Sequence, residues 1–216
     1  MGRIVVYGAG GRAGRRAVAE ARRRGHEVVA VVRDPVKHAG VAGEGIRLVA
    51  GDAADADAVA AAAAGCTAAI AAAAVYGEGT DPDAFFRGSA KALAAGLPRA
   101  GVARLVLVGL ASLLPDATGR RLLDDPAFPA DFRPFCEAHA AGLEVLRSAP
   151  PELDWLYVSP AGDFDHDAGR TDRGYRVRAH GDPGERISYP DFAVALLDEA
   201  ESPRHSRMHL AVGEAP

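Results

Sequence analysis

The chain has 216 residues, of which 49% are hydrophobic and 25% are charged, and its formal net charge is -4. This length is enough for a single domain with a substantial buried core, and the mild acidity gives no electrostatic basis for binding nucleic acid. The longest apolar run, residues 66–76, is well short of the roughly 20 residues that span a bilayer. The two cysteines form neither a disulfide framework nor a metal-binding pattern. We therefore predict a cytoplasmic protein with no membrane, nucleic-acid or metal partner.

The first part of the chain predicts one βαβ unit. Residues 3–7 form a short apolar strand, residues 8–14 a glycine-rich turn, and residues 15–24 a helix with alanine and valine on one side. The β-branched run at residues 27–32 is the second strand. Continuous apolar strands of this kind are expected in a parallel sheet that helices cover on both faces.

The alternation of strands and helices continues along the rest of the chain. Further strands are predicted at residues 46–49, 67–74, 104–108, 154–158 and 208–212, and further helices at residues 55–64, 83–99, 131–148 and 189–201. This pattern predicts an α/β fold, a Rossmann-type doubly wound parallel sheet with strand order 3-2-1-4-5-6. In such a sheet a cofactor lies at the carboxyl edge, where the strand order reverses.

Two segments do not fit the alternation. Residues 111–130 contain three prolines and follow the fifth strand, at the edge of the sheet where ligands bind. Residues 159–184 are rich in glycine, aspartate and arginine and include one short strand at residues 175–178. We predict that both segments contribute to a small substrate-binding cap on a single domain spanning residues 1–216.

The glycine-rich turn is the motif that points most directly to a ligand. Gly8, Gly11 and Gly14 follow the GxxGxxG spacing, directly after a strand and at the start of a helix. Glycines at this spacing permit a tight turn, close approach of the backbone to a pyrophosphate, and close helix–strand packing. The alternative is a glycine turn without a ligand, but the βαβ context favours a bound dinucleotide.

The residue after the second strand indicates which dinucleotide binds. An NAD-dependent enzyme would place an acidic residue here for the ribose hydroxyls, whereas this chain has Arg33, with Arg12 in the turn and Lys37 nearby. Arginine can pair with a 2′-phosphate bidentately, so we favour NADPH over NADH. Two alternatives stay open: the arginines could be solvated in an arginine-rich chain, and Asp34 could serve NAD.

Six motifs spread over nearly the whole chain carry a resemblance to a known family. They are the turn GAGGRAG at residues 8–14, VRDP at 32–35, GD at 51–52, LVLVG at 105–109, WLYVSPA at 155–161 and ISYPDFA at 187–193. The chain resembles the atypical short-chain dehydrogenase/reductase superfamily, and within it the NAD(P)H-binding, NmrA-like and flavin-reductase-like (biliverdin reductase B-like) group. The motifs near the N-terminus are specific for cofactor binding but not for a substrate.

The resemblance implies further cofactor contacts. Asp52 would accept a hydrogen bond from the adenine amino group, although it could instead cap the turn that follows it. The backbone of residues 72–74 would lie beside the adenine ribose, and residues 159–161 would meet the nicotinamide. The predicted cofactor-binding residues are therefore Gly8, Gly10, Gly11, Arg12, Ala13, Gly14, Arg33, Asp52, Ala53, Ala72, Ala73, Ala74, Ser159, Pro160 and Ala161.

The chain departs from the better-known members of the superfamily at the residues that carry out catalysis. Those members use a tyrosine and a lysine four residues apart on the helix after the fifth strand, where this chain has Phe135 and His139. Phenylalanine cannot donate a proton, so the usual general acid is absent from this position. The candidate proton donors that remain are Ser112 and His139, with His166 behind them, although His139 could also be an ordinary polar position on a helix.

Three interpretations follow from this departure. Hydride transfer could proceed without a tyrosine, as the flavin-reductase-like resemblance implies; Ser112 or His139 could donate a proton; or the protein could be a non-catalytic NmrA-like sensor of NADP(H). We favour an NADPH-dependent oxidoreductase that transfers hydride to a small acceptor, such as a flavin, a quinone or a carbonyl compound. Phe164 and His166, in the second cap segment, are candidate substrate-binding residues, and we expect a monomer or a homodimer.

Overall fold

A computed structural model describes residues 2–171, 173–178 and 180–216. The strands are β1 (Arg3–Tyr7), β2 (Glu27–Val32), β3 (Ile46–Ala50), β4 (Ala68–Ala71), β5 (Arg104–Val108), β6 (Asp154–Pro160), β7 (Asp163–Asp165), β8 (Tyr175–Arg178), β9 (Arg186–Ser188) and β10 (Met208–Glu214). The α-helices are α1 (Arg12–Arg23), α2 (Ala56–Ala63), α3 (Pro82–Arg99), α4 (Arg133–Arg147) and α5 (Tyr189–Glu201). None of the helices in the described ranges is both long and apolar enough to cross a membrane.

The main sheet has eight strands in the order β3-β2-β1-β4-β5-β6-β10-β8. Its first seven strands are mutually parallel, and β8 pairs antiparallel with β10 at the edge. The predicted Rossmann-type fold and its strand order are confirmed, and β10 and β8 extend the sheet beyond β6. The order reverses between β1 and β4, which opens a crevice at the carboxyl ends of these strands.

The parallel strands are apolar throughout because both faces of the sheet are buried. Along β1, Val5 and Tyr7 belong to one core cluster, together with residues of α2, α3 and α4. Ile4 and Val6 point to the opposite face and belong to a second cluster with residues of α1 and α5. The alternation of side chains along a strand therefore supplies two cores, as expected for a doubly wound sheet.

Several boundaries differ from the predicted ones, and three of the differences bear on the site. The helix α1 begins at Arg12, within the predicted turn, and β4 ends at Ala71 rather than at residue 74. The strand β6 continues to Pro160 because Ser159 and Pro160 pair with Ala211 and Val212 of β10. No apolar run indicates the two-stranded sheet formed by β7 and β9, whose strands have only three residues each.

Candidate functional site

A cleft of about 950 Å³ lies at the carboxyl edge of the sheet, where the strand order reverses. The glycine-rich turn after β1 lines it, together with the segments that follow β2, β3 and β4 and a second group of residues from β7 to the start of α5. The sequence motifs at residues 8–14, 32–35 and 51–52 thus meet in one cleft, although they lie on three different loops.

The backbone of the glycine-rich turn explains two of its glycines. Gly8 has a φ of +74°, a left-handed conformation that favours glycine. A Cβ atom on Gly14 would lie 2.2 Å from the Gly8 carbonyl oxygen, so the first turn of α1 packs directly on the bend. Gly14 is itself buried and is not part of the cleft wall, so its role is to position the turn.

The N-terminus of α1 is suited to bind an anion. Its first residue follows Gly11, which provides no capping side chain, and its first turn contains no acidic residue. In contrast, α2, α3 and α5 begin with the capping side chains of Asp55, Asp81 and Ser188. The free N–H groups and the positive end of the α1 dipole would both stabilise a phosphate in this part of the cleft.

The segment after β2 supplies positive charge to one end of the cleft. Arg33, Lys37 and His38 line this end, and Arg33 and Lys37 are exposed. Neither Arg33 nor Lys37 forms an ion pair with any residue that the structure describes. The Asp34 carboxylate accepts hydrogen bonds through Oδ1 from the backbone N–H groups of Val36 (3.0 Å) and Lys37 (3.1 Å).

The segments after β3 and β4 form the floor and one side of the cleft. Ala72, Ala73 and Ala74 line it because β4 ends before them, and Ala53 lines it beside Asp52. One oxygen of the Asp52 carboxylate accepts a hydrogen bond from the N–H of Ala54 at 2.9 Å. The local turn therefore uses Asp52 as a cap, and its contact with adenine stays a prediction.

The segment from β7 to α5 closes the cleft above the glycine-rich turn. Phe164 stacks on Tyr189 with ring centroids 4.1 Å apart, and Nδ1 of His166 lies 2.6 Å from a guanidinium nitrogen of Arg12. Burial raises the pKa of Tyr189, against an opposing effect of the Arg12 guanidinium. The predicted substrate residues Phe164 and His166 thus lie against the phosphate-binding turn. Tyr189, within the ISYPDFA motif, was not predicted as a site residue.

A buried carboxylate holds this closing segment in place. Asp191 is 1% exposed and accepts hydrogen bonds from the Ser188 hydroxyl at 2.7 Å and from the Thr171 hydroxyl and N–H, each at 3.1 Å. Thr171 follows the loop that carries His166, so this cluster ties that loop to the start of α5. The loop is thereby fixed over the turn without any direct contact between Asp191 and the cleft.

The candidate proton donors His139 and Ser112 do not line the cleft. His139 is 6% exposed, packs against Phe86 with ring centroids 3.7 Å apart and the rings tilted, and places Nδ1 2.7 Å from the Tyr157 hydroxyl. Burial lowers the pKa of His139 to about 3, so at neutral pH it carries no proton that it could readily give up. The buried Ser112 hydroxyl donates to the sulfur of Cys136 at 3.2 Å. The geometry therefore gives no support to the prediction that either residue is catalytic.

The predicted contacts of residues 159–161 with the nicotinamide also find no support in the geometry. All three residues are buried and none lines the cleft, because β6 extends through Pro160 and pairs with β10. The Ser159 hydroxyl lies 2.7 Å from Nε2 of His209, and Ala161 packs with Leu114 and Ala211. These residues are part of the core, and their sequence could not reveal this because the pairing depends on a strand about fifty positions away.

An aromatic surface lies next to the cleft, where β4 leads toward α3 and α4. We define it as Tyr76, Phe135, Phe132 and Phe128. Tyr76 lines the cleft and is 78% exposed, and its ring meets that of Phe135 edge-on at 6.3 Å. Phe135 stacks with Phe132 at 5.3 Å, and Phe132 stacks with Phe128 at 6.3 Å. The chain has seven phenylalanines, and the sequence did not show that three of them extend the cleft in this way.

The parallel sheet, the glycine-rich turn and the cleft at the carboxyl edge together define a Rossmann-type dinucleotide-binding fold. Residues 8–203 match the family described as NAD(P)H-binding, and the chain therefore belongs to this family. The family membership predicted from the motifs is confirmed.

Relatives and solved structures agree with this assignment. The Bacillus subtilis (strain 168) protein YwnB, itself uncharacterized, is 33% identical over 219 residues, which cover 97% of each chain. The Streptococcus pneumoniae TIGR4 protein SP1627, provisionally named an NADH-flavin reductase, is 32% identical with a TM-score of 0.79 over 99% of this chain and 100% of that chain. A Burkholderia pseudomallei structure, provisionally named an exported protein, is 33% identical with a TM-score of 0.82 over 99% and 100%.

Proposed function

We propose that this protein is an NADPH-dependent oxidoreductase that reduces a flat aromatic acceptor such as a flavin or a quinone. The observation that carries the proposal is the aromatic surface, which continues the cleft on the side of β4. A flat aromatic ring stacks favourably on such side chains, which orient it at low conformational cost. The provisional name of the S. pneumoniae relative supports the same class of reaction.

The chain's own residues fit a nicotinamide dinucleotide. The uncapped N-terminus of α1 suits its pyrophosphate, with Arg12, Tyr189 and His166 closing over it. The adenosine half belongs beside β2 and β3, since Arg33 and Asp52 line that end. The nicotinamide half then belongs toward β4 and β5, beside the aromatic surface. In this arrangement Phe164 and His166 hold the cofactor rather than the acceptor.

The phosphorylated cofactor is favoured by charge. Arg33 and Lys37 have no acidic partner in the described residues, so both are available to pair with a 2′-phosphate. Asp34, which could instead bind the ribose hydroxyls of NAD, already uses one carboxylate oxygen in its own loop. The S. pneumoniae relative is named for NADH. A direct comparison of NADPH with NADH on this protein is therefore the measurement that decides the cofactor.

The positions of Phe135, His139 and Ser112 favour a flavin or quinone over a carbonyl compound. Bound NADPH supplies a hydride, and a flavin or quinone that accepts it takes the accompanying proton from water. A carbonyl group needs a positioned proton donor as the hydride arrives. Phe135 cannot donate a proton, and His139 and Ser112 are buried and do not line the cleft. The residues of this site therefore orient the two rings and exclude water.

The experiment measures NADPH oxidation at 340 nm with FMN, FAD, quinones and aldehydes. We expect turnover with a flavin or a quinone, and we expect Phe135→Ala to lower kcat/KM for that acceptor on the order of ten-fold through loss of aromatic contact. Tyr76→Phe keeps the ring and should keep activity. A matched control is Met208→Ala, which removes another part-exposed apolar side chain, one that does not line the cleft.

Two outcomes would contradict the proposal. Loss of activity in Tyr76→Phe would make that hydroxyl a proton donor and point to a carbonyl substrate. Binding of NADPH without turnover of any acceptor would favour the alternative that the protein is a non-catalytic NADP(H) sensor.

A further inference from the structure

His38 occupies a position in the cleft that the sequence did not single out. It lies one residue after Lys37, lines the cleft at the positively charged end, and is held there by the hydrogen bond from the Val41 N–H to its carbonyl oxygen at 2.9 Å. The Asp34 carboxylate fixes the preceding loop residues. The backbone that carries His38 is therefore well anchored on both sides.

The imidazole ring of His38 packs on the α-carbon of Gly10 in the glycine-rich turn. A Cβ atom at Gly10 would lie 2.5 Å from Nδ1, 2.6 Å from Cε1 and 2.7 Å from Cγ of the ring. Gly10 does not have a positive φ, unlike Gly8, so its backbone conformation does not require glycine. The requirement for glycine at this position comes from the ring of His38, which needs the space.

The buried face of the ring fixes which nitrogen can act as a donor. Nδ1 of His38 is buried and has no hydrogen-bond partner among the residues that the structure describes. A proton on Nδ1 would be a buried donor without an acceptor, which is unfavourable. The favoured neutral tautomer therefore carries its proton on Nε2, which leaves that N–H as the donor for a ligand in the cleft.

We infer that His38 is a specificity-determining ligand of the 2′-phosphate of NADPH, positioned by its contact with Gly10. Its neighbours Arg33 and Lys37 supply charge, while the Nε2–H of His38 supplies a directed hydrogen bond to a phosphate oxygen. The pyrophosphate belongs at the N-terminus of α1, so this second group of donors serves a different phosphate. The inference rests on the proposed use of NADPH.

The test measures Kd values for NADPH, NADH, adenosine 2′,5′-bisphosphate and 5′-AMP by calorimetry. We expect His38→Ala to raise the Kd for NADPH and for the bisphosphate roughly ten-fold and to leave the Kd for NADH and for 5′-AMP unchanged. His38→Gln, whose amide nitrogen can take the place of Nε2, should restore most of the loss. The control His180→Ala removes an exposed histidine that does not line the cleft.

Gly10 provides an independent test of the packing contact. Gly10→Ala should displace the His38 ring and weaken NADPH binding to a similar extent. In a His38→Ala background the same substitution should cause little further loss of NADPH affinity. The inference would be overturned if His38→Ala lost the same affinity for NADPH as for NADH. It would also be overturned if the effects of the two substitutions on NADPH affinity were fully additive. Failure of the proposed function is distinguishable, because the unmodified protein would then bind NADPH no more tightly than NADH.

Discussion

Burial of His139 couples the stability of the protein to pH at the scale of a single residue. Desolvation lowers the pKa of His139 in the folded state to about 3, from an ordinary value near 6.5, and it lowers that of His209 to about 4. Below pH 6.5 the unfolded chain takes up protons that the folded chain does not. Proton uptake therefore stabilises the unfolded chain relative to the folded one. The contribution of His139 to stability is complete above pH 6.5 and is lost as the pH falls toward 3.

We therefore expect His139→Asn to reduce the acid sensitivity of the fold. Asparagine cannot titrate but can still accept a hydrogen bond from the Tyr157 hydroxyl. The free energy of unfolding, measured in urea, should fall between pH 7 and pH 5 in both proteins. The fall should be smaller in the variant, by about 1–2 kcal/mol. The exposed His180→Asn is the control and should not change the pH dependence. An unchanged decline in His139→Asn would contradict the assignment.

Some site residues could be predicted from the sequence because their signal is local. The spacing of Gly8, Gly11 and Gly14 and the position of Arg33 after a strand depend only on neighbouring residues. The place of Tyr189 in the cleft depends instead on how α5 packs against the sheet, more than 170 positions from the turn it covers. The burial of His139 against Phe86 likewise has no local signal, since its spacing from Phe135 indicates only a shared helix face.

At the scale of elements, the strands and helices of the main sheet were predictable, including β8 at residues 175–178, whereas the strands β7 and β9 of the closing segment were not. Apolar runs that match the length of a strand define β1 to β6 locally. The three-residue strands β7 and β9 have no such run, and they exist because each pairs with the other. The end of β6 likewise depends on β10, so the local sequence alone indicates neither the length of this strand nor the burial of residues 159–161.

The anchoring of the closing segment by Asp191 predicts the effect of removing that carboxylate. Asp191→Ala leaves the Ser188 hydroxyl without its acceptor in a buried setting and the Thr171 N–H without its acceptor in a part-buried one. We expect a loss of about 2–3 kcal/mol in the free energy of unfolding. We also expect faster trypsin cleavage after Arg170 and weaker binding of NADPH, because the loop that carries His166 is released.

The control for this prediction lies on the same segment. Asp167 is exposed, so Asp167→Ala changes the charge of the loop by the same amount without removing a buried acceptor. Its stability, cleavage rate and affinity should match those of the unmodified protein. If Asp191→Ala lost stability but bound NADPH with full affinity, the segment would not contribute to the cofactor site.

At the scale of the whole molecule, the cofactor joins parts of the chain that are otherwise connected only through the sheet. The cleft brings together the loops after β1, β2, β3 and β4 and the segment that leads into α5. A ligand that contacts all of them binds the folded state alone, since the unfolded chain has no such arrangement. Its binding free energy therefore adds to the stability of the entire fold.

We expect NADPH to raise the temperature of unfolding in proportion to the logarithm of its concentration. At a hundred times Kd the gain is about 2.7 kcal/mol, or roughly 5–10 °C for a chain of this size. NADH at the same concentration should give a smaller shift, and Arg33→Ala should reduce the difference between the two cofactors, with Lys37 and His38 retaining part of it. Arg47→Ala, an exposed arginine outside the cleft, is the matched control. If neither cofactor shifted the unfolding temperature at millimolar concentration, the cleft would not be a dinucleotide site, and the aromatic surface beside it would need a different ligand.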